Sequence, residues 1–203
     1  MIIEPDVFWS DIALGMLCVV LAWLLHRVAN TWWRVFVLLA LATFFGAAYH
    51  GFVNTTTIWW GDVLWTLTLF WFALTSAVLI DECFGHKRRL RPWLVIGLVA
   101  YMTWAIVISE AFLWALLLQA AAITTLVIRH VVVYRHTKKK TVRTTLDRLL
   151  IGFLLLNITA IILQQLKVNF GLPVSHNTVF HVIELPVMAL LYAYVRRLGN
   201  VRS

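Results

Sequence analysis

The chain is 203 residues long, 62% hydrophobic and only 13% charged, with a mean hydropathy of +0.87. A soluble domain of this size has too little interior to hide so much apolar surface, so the composition excludes the soluble globular class and points to a membrane protein. The formal net charge of +8 raises nucleic acid as a partner, but the basic residues fall in short loops between apolar spans, where membrane topology accounts for them.

A helix needs about 20 apolar residues to cross the hydrocarbon core, and that rule picks out seven segments in chain order. The first, Ser10–Val28, follows an acidic start containing Glu4 and Asp6 and carries Asp11 in its opening turn. An acidic Met1–Asp6 lacks the positive n-region of a cleavable signal peptide. The second span, Trp32–Phe52, has His50 near its end, and the third, Trp59–Leu79, has Asp62 near its beginning. The fourth and fifth, Trp93–Ile108 and Ala111–Val131, are separated only by Ser109 and Glu110, a spacing for a tight hairpin. The sixth is Leu146–Leu166. The seventh, Thr178–Leu198, starts between His176 and His181, has Glu184 one turn further in, and contains Pro186. Proline is tolerated in a membrane helix whose neighbours satisfy the freed carbonyl. Trp32-Trp33 and Trp59-Trp60 read as interfacial belts. Cys18 and Cys83 lie at positions too far apart for a disulfide framework. No repeat or long linker interrupts residues 1–203, so the expectation is one all-α integral membrane domain, a seven-helix bundle.

Charge sets its orientation. With the N-terminus outside, one side of the membrane receives Arg27, Arg34, Lys87, Arg88, Arg89, Arg91, Arg129, Arg135, Lys138, Lys139, Lys140, Arg143, Arg148, Arg196, Arg197 and Arg202. That is sixteen of the seventeen basic residues, leaving only Lys167 on the other side. The positive-inside rule makes that basic side cytoplasmic, so the C-terminus is inside. The Lys138–Lys140 run is then a solvated inner loop that meets anionic lipid heads. The expected location is a cell membrane, of the bacterial inner-membrane kind.

His50, Asp62, His176 and His181 then share the outer depth, together with Glu184 and the acidic residues before the first span. Ionisable groups at membrane depth are costly and are functional candidates by default. Zinc takes imidazole nitrogen and carboxylate oxygen in tetrahedral geometry and, in catalytic sites, keeps one position for water, whose pKa it lowers. His50, His181 and His176 are the candidate ligands, with Asp62 and Glu184 as candidate general bases or orienting groups. His181 and Glu184, three apart, lie on roughly one helix face. His176 can converge with His181 only if it precedes the first turn, with Ser175 or Asn177 as the cap. His26, His86, His130 and His136 read as interfacial or hydrogen-bonded residues.

At these residues the chain resembles the CREST-type seven-helix membrane hydrolases, which include the alkaline ceramidases and the adiponectin-receptor-like proteins. That pattern has Ser-x-x-x-His late in helix 2, an Asp in helix 3 and His-x-x-x-His in helix 7. Gly46-Ala47-Ala48-Tyr49-His50 matches the first element at its histidine, Asp62 follows twelve residues later, and His176-Asn177-Thr178-Val179-Phe180-His181 matches the last in part. Two departures stand out: Gly46 replaces the serine, and the helix-7 spacing is His-x4-His, with Asn177 at the first histidine position. The resemblance implies a bundle-embedded zinc held by His50 and His181, with His176 completing the site from a distorted turn or, failing that, metal binding altered or lost. It also implies a lipid amide or ester as substrate. In the ceramidases the acidic stretch before helix 1 binds calcium, which Glu4, Asp6, Trp9 and Asp11 resemble loosely.

Two other classes share these features. A non-catalytic receptor or transport-like relative is consistent with Gly46 and the altered helix-7 spacing. A bis-histidine haem carrier would pair His50 with His181 and His26 with His130, leaving Asp62 and Glu184 without a task. A retinal protein is disfavoured because helix 7 has no lysine for a Schiff base.

Overall fold

In the computed structural model, residues 2–28, 30–53, 58–84, 91–107, 112–136 and 140–199 are described. They form seven helices: α1 (Pro5–Arg27), α2 (Trp33–Phe52), α3 (Ile58–Phe84), α4 (Arg91–Val107), α5 (Phe112–His136), α6 (Lys140–Gln165) and α7 (His176–Gly199). Six of these are long and apolar enough to cross a membrane. The fourth, α4, has 17 residues, or about 26 Å at 1.5 Å per residue, short of a core about 30 Å thick. The fourth expected span is therefore helical but the shortest of the set, and Ser109 and Glu110 after it lie outside the described residues. Several helices outrun their apolar stretch on the basic side. α6 begins at Lys140, six residues before the expected Leu146, because the hydrogen-bonded backbone continues where hydropathy stops. α7 continues unbroken through Pro186.

Much of the described surface is apolar, and a few polar side chains are buried within an apolar core. Met16, Val19, Val20 and Trp23 on α1, Val95, Ile96 and Val99 on α4, and Ile151, Leu155, Ile158 and Ile162 on α6 are exposed, whereas Asp11, Thr75, Ser76, Glu82, His130, Asn157 and Glu184 are buried. Water would penalise that arrangement and lipid rewards it. Hydroxyls inside the spans are satisfied locally: Thr68, Thr75, Ser76 and Thr159 each donate to the carbonyl four residues back.

In the packing, α2 lies between α1 and α3, α1 also lies against α7, α6 backs α7, and α3 bridges α2 to α4 and α5. Gly15 makes the α1–α2 approach possible, since a Cβ there would lie 2.5 Å from Phe44 Cε1 and 2.7 Å from Thr43 Oγ1. Gly15→Val is expected to overpack this seam and cost about 1–3 kcal/mol, read as a lower unfolding midpoint in detergent.

At the end opposite the N-terminus, polar side chains tie the bundle together. Thr31 Oγ1 donates to Glu82 Oε2 at 2.7 Å, and Asn30 Nδ2 donates to the Val195 carbonyl at 3.2 Å. His130 uses both ring nitrogens, Nδ1 with the Tyr194 hydroxyl at 3.2 Å and Nε2 with Asp147 at 2.9 Å, joining α5, α6 and α7. His26 packs edge-on against Trp33.

Candidate functional site

Near the end that carries the N-terminus, the helices line a partly open cavity of about 170 Å³. Leu14, Leu39, Phe72, Phe180 and Met188 make much of its wall apolar, and Asp11, His50, His181 and Glu184 bring ionisable groups to it from α1, α2 and α7. Two of the three expected histidines and one of the two expected carboxylates thus converge.

His50 occupies the last turn of α2. The segment before α1 lies across that turn, with Ile3 N donating to the Gly51 carbonyl and Glu4 N to the His50 carbonyl, both at 3.1 Å. This strap delivers the Glu4 carboxylate to His50 Nδ1 at 2.7 Å. Nε2 is then the imidazole nitrogen with no hydrogen bond among the described residues.

His181 is held in the same way from α1. Ser10 Oγ lies 3.1 Å from His181 Nδ1 and 2.9 Å from the Val7 carbonyl. The carbonyl can only accept, so the hydroxyl proton goes there and Ser10 accepts from Nδ1–H. That assignment follows from hydrogen-bond accounting and fixes the tautomer. His181 Nε2 is turned to Asp11 Oδ1 at 3.3 Å. Asp11 is 3% exposed, and its other oxygen, Oδ2, has no hydrogen-bond partner among the described residues. A Cβ on Gly46 would lie 3.4 Å from that oxygen, so the Asp11 carboxylate rests over Gly46.

Glu184, one turn along α7 from His181, is buried at the cavity and accepts no hydrogen bond from the described residues. Asn177 also faces the cavity, but its Oδ1 is taken by Gln164 Nε2 at 2.7 Å.

His176 and Asp62 stand elsewhere. Ser175 caps α7, its Oγ accepting from Thr178 N at 3.2 Å. Asp6 Oδ2 reaches across from α1 to accept from Ser175 N at 2.7 Å and from the Thr178 hydroxyl at 2.8 Å. This cap makes His176 the first helical residue. Five steps of 100° then put it about 140° around the helix from His181, off the cavity wall. Asp62 is exposed on α3, whose cavity residues are Trp65, Thr68 and Phe72. Glu4, Asp6 and Asp11, grouped by the sequence as a cation-binding stretch, engage three different partners: His50, the α7 cap and His181. Trp9 is exposed.

A family model spans residues 7–200, from the first turn of α1 to the end of α7. The chain belongs to DUF6962, a family of unknown function. Comparison with curated proteins and with solved structures gave no match. Asp11, His50, His181 and Glu184 all fall inside the stretch matched to DUF6962, whereas Glu4 and Asp6 precede it.

The donor chemistry of this DUF6962 site suits a divalent cation of the zinc class. Two imidazoles are pinned through Nδ1 by an oxygen behind them, the arrangement that orients metal-ligating histidines. A buried carboxylate oxygen without a partner faces the same space. Among the described residues, no three His, Cys, Asp or Glu side chains are drawn together as a ligand cluster.

Proposed function

We propose that this DUF6962 protein is a membrane-embedded hydrolase of lipid amides or esters that uses metal-activated water, with zinc as the metal. The carrying observation is the matched support of the two cavity histidines through Nδ1, His50 by Glu4 and His181 by Ser10, with His50 Nε2 left for a ligand and His181 Nε2 turned to the Asp11 carboxylate. In this reading His50 and His181 hold the metal, and the bundle stands with its N-terminus and cavity toward the outer face of a cell membrane. The distribution of basic residues supports that orientation.

A bound cation supplies Lewis acidity and a more acidic water. The apolar cavity wall holds the hydrocarbon part of the substrate and excludes bulk water. Glu184 takes a proton from the attacking water as its oxygen bonds to the carbonyl carbon. It returns that proton to the leaving nitrogen or oxygen as the C–N or C–O bond breaks. The bis-histidine haem alternative fits less well, because His130 has already committed both ring nitrogens.

Protein purified in detergent without chelators is expected to carry about one zinc per chain and to cleave ceramide-like amides or phospholipid esters in mixed micelles. His50→Ala/His181→Ala is expected to lose both properties. Wild type that contains no zinc and takes up none overturns the reading. A wild type that binds lipid but neither zinc nor water-labile substrate would instead be the receptor or transport-like relative.

A further inference from the structure

We infer that Asp11 of α1 is the third metal ligand, completing the set with His50 and His181. This inference rests on the metal-site reading above and deepens it by naming the group that closes the coordination sphere.

The first support is accounting of protons and lone pairs. Ser10 spends its own proton on the Val7 carbonyl, so His181 carries hydrogen on Nδ1 and presents a lone pair at Nε2. That lone pair faces Asp11 Oδ1 at 3.3 Å. Two acceptors turned toward each other in an apolar interior need something positive between or beside them. The second support is distance. Zinc bonds of about 2.0–2.2 Å to nitrogen and oxygen at the tetrahedral angle separate two ligands by about 3.3–3.6 Å. Asp11 Oδ1 and His181 Nε2 already stand on such an edge. The third is the unpartnered Oδ2, buried and aimed over Gly46.

The competing donors are otherwise placed. Asn177 has given its oxygen to Gln164. The Ser175 cap carries His176 to another side of α7. Cys18 reaches the cavity, but it lies seven residues along α1 from Asp11, about 10 Å deeper. The Asp11 carboxylate lies against position 46, where a Cβ would sit in van der Waals contact with Oδ2 at 3.4 Å.

The test is zinc content with X-ray absorption at the zinc edge, and the visible spectrum of the cobalt-loaded protein, for wild type, Asp11→Asn and Asp11→His. Wild type is expected to show two imidazoles and oxygen ligation. Asp11→His is expected to show three imidazoles with an altered cobalt spectrum. Asp11→Asn is expected to lose zinc affinity by more than the roughly 100-fold that separates a ligand from a supporting group. A wild-type site with three imidazoles or a sulfur ligand overturns the Asp11 assignment and leaves the metal reading standing. So does an Asp11→Asn protein that holds zinc like wild type, or an Asp11→His protein with only two imidazoles. Wild type that takes up neither zinc nor cobalt overturns the metal reading itself, and a proton alone then lies between Asp11 and His181. Asp11→His keeps the assignment falsifiable should Asp11→Asn fail to elute as a folded species.

Discussion

Glu184→Gln is expected to lower kcat by about 10²–10⁴-fold, the range for loss of a positioned general acid–base, while zinc content stays at the wild-type level. The amide keeps the shape of the side chain, so the cavity is not emptied, but it cannot take up and return the proton of the attacking water. Glu184 is suited to that task because it reaches the cavity from the helix that carries His181 and no described residue donates a hydrogen bond to it. A carboxyl group in such a place has no structural bond to lose. Replacing it with a neutral group removes the cost of desolvating a charge, so the unfolding midpoint is expected to hold or rise. A fall in both kcat and midpoint would instead make Glu184 a packing residue. Asp62→Asn is the companion measurement. Its side chain is exposed on α3 away from the cavity lining, and turnover is expected to stay within about two-fold of wild type, as for a surface change away from the site.

The helices were legible from hydropathy alone because lipid imposes a single rule on every span. Their ends were not, since α6 begins among basic residues that a hydropathy window rejects. In the site, the legible part was what one element decides by itself: His50 at the end of α2, and His181 with Glu184 one turn apart on α7. The illegible part depends on pairs far apart in the chain. Whether His176 could reach the cavity turned on which residue caps α7, and that choice is fixed by Asp6, 169 residues before Ser175. Asp11 reads in sequence only as an acidic residue in the opening turn of the first span. A carboxylate inside an apolar span is a warning by itself, but its partner His181 and its resting place over Gly46 exist only once α1, α2 and α7 are packed.

Glu4→Ala is expected to weaken zinc binding by about 10–100-fold, the effect of removing a carboxylate that supports a metal-bound histidine, with little loss of stability. The two parts of that expectation have separate causes. Glu4 is half-exposed, and an ion pair open to water contributes about 0–1 kcal/mol to folding. The strap itself is made by backbone bonds from Ile3 and Glu4 to Gly51 and His50, which alanine leaves in place. What alanine removes is the acceptor for His50 Nδ1–H, and with it the fixed ring orientation and the added basicity at Nε2. Glu4→Gln separates these contributions. Its amide oxygen still accepts the hydrogen bond and holds the ring, but it lacks the charge, so its affinity is expected to fall between alanine and wild type. Titration with a competing chelator reads all three proteins on one scale. An affinity that is flat across wild type, Glu4→Gln and Glu4→Ala would mean that His50 does not bind the metal through Nε2. The Glu4–His50 contact would then be a clasp for the N-terminal segment and nothing more.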